Sequence, residues 1–165
     1  MESSSQLYRS EDAYLQSMQH YDVAVSKWDI QPESIYVDTR FGKTHILRIG
    51  ASSKPPFVYF HGWNGNAAGV YTELDIPRLA ETFQIHVVDT IGQSGKSAPI
   101  RLDTKDSSYG YWISDIFDAL DLDNIYISGV SGGGYLCLKA CALIPDKIAK
   151  AFLIVPGGLV DLSRI

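Results

Sequence analysis

The sequence predicts an α/β fold: a mostly parallel sheet entered by an antiparallel hairpin, with helices on both faces. Three observations carry this. Runs at 57–60, 85–88, 125–128 and 151–155 are continuously apolar rather than alternating, the pattern of strands buried on both faces. Helical patterns sit between them, the order that builds parallel strands through crossovers. Ahead of them, β-rich runs at 34–39 and 44–49 are separated only by Arg40-Phe41-Gly42-Lys43, a hairpin connection.

The elements follow in order. Over the first 27 residues or so, Tyr14, Leu15, Met18, Tyr21 and Val25 recur at helical spacing, with Glu11, Asp12, Gln16, Gln19 and Asp22 between them. Pro32 stops any continuation. After the hairpin, Lys54-Pro55-Pro56 leads into the first apolar run. A short helix is expected from Pro77 to about Phe83, with proline near its first position, where a missing N–H costs nothing. Residues 90–108 fit neither period and are rich in Gly, Ser, Lys, Asp and Pro; a loop this long is usually functional or mobile. From Tyr111 to about Leu120, Trp112, Ile113, Ile116, Phe117 and Leu120 share one face, and Ser114, Asp115, Asp118 and Asp121 the other. The stretch 132–143 is apolar nearly all round, with Lys139 its only charge, and predicts a buried helix.

Composition narrows the function. A chain of 165 residues, 45% hydrophobic and 20% charged, suits one globular domain rather than a disordered chain. Fourteen Lys and Arg against 19 Asp and Glu leave a net charge of −5, which argues against nucleic acid as a partner. No apolar run approaches the ~20 residues needed to span a bilayer. Met1-Glu2-Ser3-Ser4-Ser5 has neither the basic nor the apolar region of a secretory signal. A cytoplasmic protein without a membrane partner is expected. Cys137 and Cys141 then act as small core residues in a reducing compartment, and no nearby histidine supports a metal pair.

The strongest chemical signal is Gly129-Val130-Ser131-Gly132-Gly133, between the run 125–128 and the helix 132–143. That is the setting of a nucleophile elbow, G-x-S-x-G between strand and helix. A turn this sharp strains the serine backbone, lifts its hydroxyl out of the sheet, and needs bare backbone two residues to either side. The helix N-terminus then aims free N–H groups at the site. The simpler reading is a glycine-rich turn with an incidental serine, or a phosphate-cradling loop. A second signal, His61-Gly62-Trp63-Asn64-Gly65, directly follows the run 57–60. An elbow serine needs two oxyanion donors: the amide of the next residue, here Gly132, and one from the loop after the third strand, which holds Trp63. The alternative is a structural turn with a buried His61.

With these pieces, the chain resembles the N-terminal part of an α/β-hydrolase-fold serine hydrolase of the esterase/lipase-like branch. The matching features are the hairpin, His61-Gly62-Trp63, Asp89-Thr90-Ile91-Gly92-Gln93-Ser94-Gly95-Lys96-Ser97 after the fourth strand, and Gly129 to Gly133 after the fifth. The fourth-strand segment carries one residue more than the family pattern D-x-x-G-x-G-x-S. The resemblance spans about residues 34–160. It implies Ser131 as nucleophile, the amides of Trp63 and Gly132 as oxyanion hole, His61, Gly62, Gly129 and Gly133 as motif residues, a small-molecule ester as substrate, and no metal or organic cofactor. His-Gly-Trp also occurs in epoxide hydrolases, but those carry aspartate where this chain has Ser131. A Walker A reading of Gln93 to Ser97 fails because position 90 is threonine rather than glycine, and Ala98-Pro99 follows instead of a helix.

In this fold the acid and then the histidine come after the serine. Only Asp146 and Asp161 follow Ser131, while His20, His45, His61 and His86 all precede it. Asp146 is read as a surface residue at a helix end, and Asp161 stands several residues too far along to serve. His86 is read as a core residue. The expected division is an N-terminal helical segment over 1–27 and an incomplete α/β-hydrolase domain over 28–165. Three readings follow: part of a serine esterase with only trace activity, a half completed by a second chain, or a non-catalytic binding module. The expected sixth strand would leave an open sheet edge, suited to a complementing C-terminal segment or to self-association.

Overall fold

The computed structural model describes residues 7–159. Ser10 opens the first helix by accepting a hydrogen bond from the Ala13 amide at 3.1 Å, and α1 (Glu11–Ser26) carries Glu11 and Asp12 in its first turn. The helix expected from the first residue therefore starts later: residues 7–10 form a turn and bends, and 1–6 lie outside the described residues.

The hairpin forms as predicted but with a tighter connection. β1 (Glu33–Thr39) and β2 (Gly42–Ile49) pair antiparallel, with Ile35 opposite Ile46 and Val37 opposite Thr44. Gly42, at φ 119°, already pairs with Thr39, so only Arg40 and Phe41 make the turn. There follow β3 (Pro56–Phe60), a 3₁₀ stretch (Ala67–Thr72) that the sequence did not announce, α2 (Ile76–Ala80), β4 (Gln84–Val88), α3 (Ser108–Ala119), β5 (Ile125–Val130), α4 (Gly132–Leu143) and β6 (Ile148–Ile154). The strands lie in the order β1-β2-β4-β3-β5-β6. β2 meets β4 antiparallel, and every later pairing is parallel. This is the predicted α/β architecture.

Strand alternation sorts the core into two layers. Val58, Phe60, Val88 and Ile127 face a cluster with Trp112, Ile113, Ile116 and Phe117 of α3 and Leu136 and Cys137 of α4. Phe57, Tyr59, Ile85 and Val87 face the opposite cluster, with Tyr21 of α1, Val70 and Ile76. Helices thus cover both faces, and the buried Trp112 indole ties its layer to the sheet by donating to Thr44 Oγ1 at 2.8 Å.

Three expectations need correction. α3 begins three residues before Tyr111, because Asp106 accepts from the Ser108 amide at 2.8 Å and Gly110 lets the helix approach α4 closely. A Cβ on Gly110 would stand 3.0 Å from Leu143 Cδ2. α4 is buried on one face only: Gly132, Gly133, Gly134, Leu136, Cys137 and Ala140 are covered, while Ala142 is exposed. β6 begins at Ile148 rather than Ala151 and is not buried on both faces, since Phe152 and Ile154 are 47% and 42% exposed. β6 is the outermost strand of the described sheet on that side, and among the described residues it packs mainly on β5 and α4.

Candidate active site

The elbow is built by the end of β5 and the start of α4. Ser131 between them adopts φ 52° and ψ −112°, a conformation an L-residue holds only under strain. Neighbouring structure over-determines it. The Ser131 amide donates to Ile154 O at 2.9 Å, and its carbonyl accepts from Gly157 at 2.8 Å and Tyr135 at 3.2 Å. The flanking glycines are there for space: a Cβ on Gly129 would overlap the Gly133 carbonyl, and one on Gly133 would overlap the carbonyl of Phe60. The result is an exposed serine at the N-terminus of a twelve-residue helix.

His61-Gly62-Trp63 lies beside it. Gly62 abuts the elbow, and a Cβ there would stand 3.7 Å from Ser131 Cβ. His61 is buried, and both ring nitrogens are used: Nδ1–H donates to Gly62 O at 2.8 Å, and Nε2 accepts from the Thr90 amide at 3.1 Å. That pattern needs a neutral ring, and burial pushes the His61 pKa down accordingly. His61 therefore fastens the loop after β3 to the loop after β4. Asn64 N–H to Gln93 Oε1 (2.8 Å) and Ser94 Oγ to Gly65 O (3.1 Å) add two further ties.

The Trp63 ring rests against Gly132, where a Cβ would come within 2.5–2.7 Å of it. Its ring centroid is 5.7 Å from that of Tyr109 and 6.3 Å from that of Tyr135. Among the described residues, neither the Trp63 nor the Gly132 amide donates to another backbone group. A groove of about 230 Å³ runs on from Trp63, walled by Asn64, Gln93, Arg101, Leu102 and Tyr109. The long loop expected over 90–108 supplies much of that wall, and its last residue joins α3.

The other candidates fall elsewhere. His45 and His61 are engaged with partners other than Ser131, His86 is buried within β4, and His20 is exposed on α1. Asp146 is exposed in the 3₁₀ turn Pro145–Lys147, and Asp161 lies outside the described residues. Ser97 faces inward: its hydroxyl donates to Asp89 O at 2.6 Å and accepts from the His45 amide at 2.9 Å, so the segment is no phosphate loop.

The sequence placed Asp89 at the head of the segment after the fourth strand but did not show its partners. Asp89, fully buried, accepts from His45 Nδ1–H (2.7 Å), Tyr21 Oη–H (2.9 Å) and the amides of Ala67 (2.7 Å) and Lys96 (3.1 Å). Burial alone would raise its pKa; the hydrogen bond from His45, with the Ala67 amide, outweighs that and holds it below the ordinary carboxylate value. Gly95 of the same segment, six residues on, lacks a Cβ and so leaves room for the carboxylate.

Comparison with known proteins agrees with this fold. Residues 55–163 match the family model described as the alpha/beta hydrolase fold. The carboxylesterase YbfK of Bacillus subtilis (strain 168) is 31% identical over 153 residues, covering 93% of this chain and 51% of that protein. The crystal structure of that carboxylesterase, CesB (YbfK), superposes with a TM-score of 0.80 at 32% identity, over 88% of this chain and 50% of the other. A naproxen esterase (carboxylesterase NP) from Bacillus subtilis gives a TM-score of 0.81 at 29% identity, over 89% and 50%. The chain spans about half the length of these relatives.

Proposed function

The chain belongs to the α/β-hydrolase family, and from that premise we propose that it carries the nucleophile half of a serine carboxylesterase site. The observation behind this reading is Ser131: exposed, strained, at the head of α4, with Gly62 against it. In the proposed reaction Ser131 Oγ attacks the carbonyl carbon of a small carboxylic ester. The amides of Trp63 and Gly132 stabilise the oxyanion, the alcohol leaves, and water later releases the acid from the acyl-serine. The similarity to YbfK and to the naproxen esterase supports an ester as substrate.

No histidine follows Ser131 in the sequence, and a serine hydroxyl without a base is a weak nucleophile at neutral pH. We assign the acid and base to the half of the relatives that this chain does not span. An oxyanion hole and binding alone sustain about 10³–10⁴-fold over water in serine proteases stripped of a triad member, so trace turnover is expected here. The exposed apolar surface of β6 suits a complementing segment, or a second copy, on that edge.

A fluorophosphonate probe tests the nucleophile when adducts are mapped by peptide mass. The expected result is a slow adduct on Ser131, absent from Ser131→Ala. A folded chain that acquires no adduct at Ser131 would refute the assignment.

A further inference from the structure

On the far side of the sheet from β6, a second serine is linked to a histidine and a buried carboxylate. Ser34 lies on β1, His45 on β2, and Asp89 directly after β4. Ser34 Oγ is 2.7 Å from His45 Nε2, and His45 Nδ1 is 2.7 Å from Asp89 Oδ2. His45 and Asp89 are fully buried, while Ser34 is exposed. The rings of Tyr21 and Tyr36 flank His45, with centroids 5.9 and 4.9 Å away.

Proton positions follow from the partners. The Asp89 carboxylate has no proton to give, so His45 Nδ1 must be the donor. In a neutral ring the lone pair then sits on Nε2, and the bond to Ser34 runs from the hydroxyl to that lone pair. A hydroxyl donating to a histidine whose other nitrogen is held by a third group is the general arrangement of an activated nucleophile. Anchoring α1 accounts for the Tyr21–Asp89–His45 contacts. It does not require the chain of bonds to continue from His45 to an exposed hydroxyl.

We infer that Ser34, His45 and Asp89 form a second nucleophile relay, independent of Ser131, that makes Ser34 a site of covalent modification by activated acyl and phosphonyl donors. The inference covers one transfer without turnover. With a fluorophosphonate, the Ser34 Oγ–P bond forms as P–F breaks, fluoride leaves, and the hydroxyl proton passes to His45 Nε2 and on to water. With an activated ester, Oγ–C forms as the bond to the leaving phenolate breaks. Asp89 acts as a positioning residue, holding the tautomer.

The test uses the full chain carrying Ser131→Ala and a fluorophosphonate probe, with adduct formation followed by peptide mass. Ser53, exposed in the turn before β3, serves as the internal reference hydroxyl. General-base assistance contributes about 10²–10⁴-fold, so Ser34 should label at least about 100-fold faster than Ser53. His45→Gln should bring Ser34 down to the Ser53 rate with an unchanged circular dichroism spectrum. Equal rates at Ser34 and Ser53 overturn the inference, as does a Ser34 rate unaffected by a folded His45→Gln. If that variant does not fold, the ratio of Ser34 to Ser53 in the His45-bearing chain decides. Because adducts are read residue by residue, failure at Ser34 leaves the Ser131 assignment untouched, and the reverse holds as well.

Discussion

The elbow and the buried carboxylate solve opposite problems. At the elbow a serine is held exposed in a strained conformation, beside two amides that have no backbone partner among the described residues. At Asp89 a carboxylate is sealed away and given four donors from α1, β2, the start of the 3₁₀ stretch and the loop after β4. The first site leaves those amides without a backbone acceptor; the second spends its hydrogen bonds on joining segments distant in sequence. The elbow therefore stores free energy, held in place by the bonds of Ser131 to Ile154, Tyr135 and Gly157.

The largest effect should come from removing the carboxylate. Asp89→Ala leaves His45, Tyr21 and two amides buried without their acceptor, and breaking a buried pair in this way costs about 3–5 kcal/mol. Denaturant titration would show a much lower midpoint. A loss below about 1 kcal/mol would mean that the network is not the anchor described here.

Acid should separate the two regions. Burial, helped by the nearby charge of Arg48, pushes the His86 pKa down to about 4, and burial lowers that of His61. Both lie below the ordinary 6.5, so the unfolded chain takes up protons that the folded chain refuses. Stability is then full above about pH 6.5 and falls as the pH drops toward 4, by about 3 kcal/mol for His86 alone. Asp89 is shifted down as well, so its contribution persists to below pH 3.8. Hydrogen exchange, corrected for intrinsic rates, should show the Thr90 amide, bonded to His61, losing protection before the Ala67 amide, bonded to Asp89. Simultaneous loss would mean that the two regions open as one unit.

Tyr21→Phe is a smaller perturbation of the same network. It removes one hydrogen bond to a charged acceptor, worth about 2 kcal/mol, and keeps the ring. Because three donors to Asp89 remain, the loss should appear mainly as weaker docking of α1, read as faster proteolysis before Pro32.

The contrast also explains what the sequence could reveal. The elbow was legible because its constraints are local: strand, serine and bare backbone fall within Gly129 to Gly133, and the next helix starts where expected. The succession of strands and helices was legible because continuous apolar runs alternate with helical ones. The network was not, because Tyr21, His45 and Asp89 stand 24 and 44 residues apart, and the pattern that Asp89 heads says nothing of its partners. His45 in particular occupies an ordinary strand position, and only the register opposite Tyr36 reveals its neighbours. The exposure of β6 was hidden for a related reason: an apolar run records what a strand is suited to pack against, not what lies beside it in this chain.

The smallest expected effect has the opposite sign and tests the stored strain directly. Ser131→Gly removes the side chain from a φ of 52°, where strain of about 1–3 kcal/mol resides. Glycine gives back about 0.5–1 kcal/mol through the greater freedom of the unfolded chain. The net should be a gain of about 1 kcal/mol, seen as a higher denaturant midpoint with an unchanged slope, together with loss of the Ser131 adduct. Such a gain on deleting the proposed nucleophile is what a residue kept for chemistry rather than for folding would produce. A loss of stability would place Ser131 among the structural groups, with Asp89, and remove the difference between the two regions.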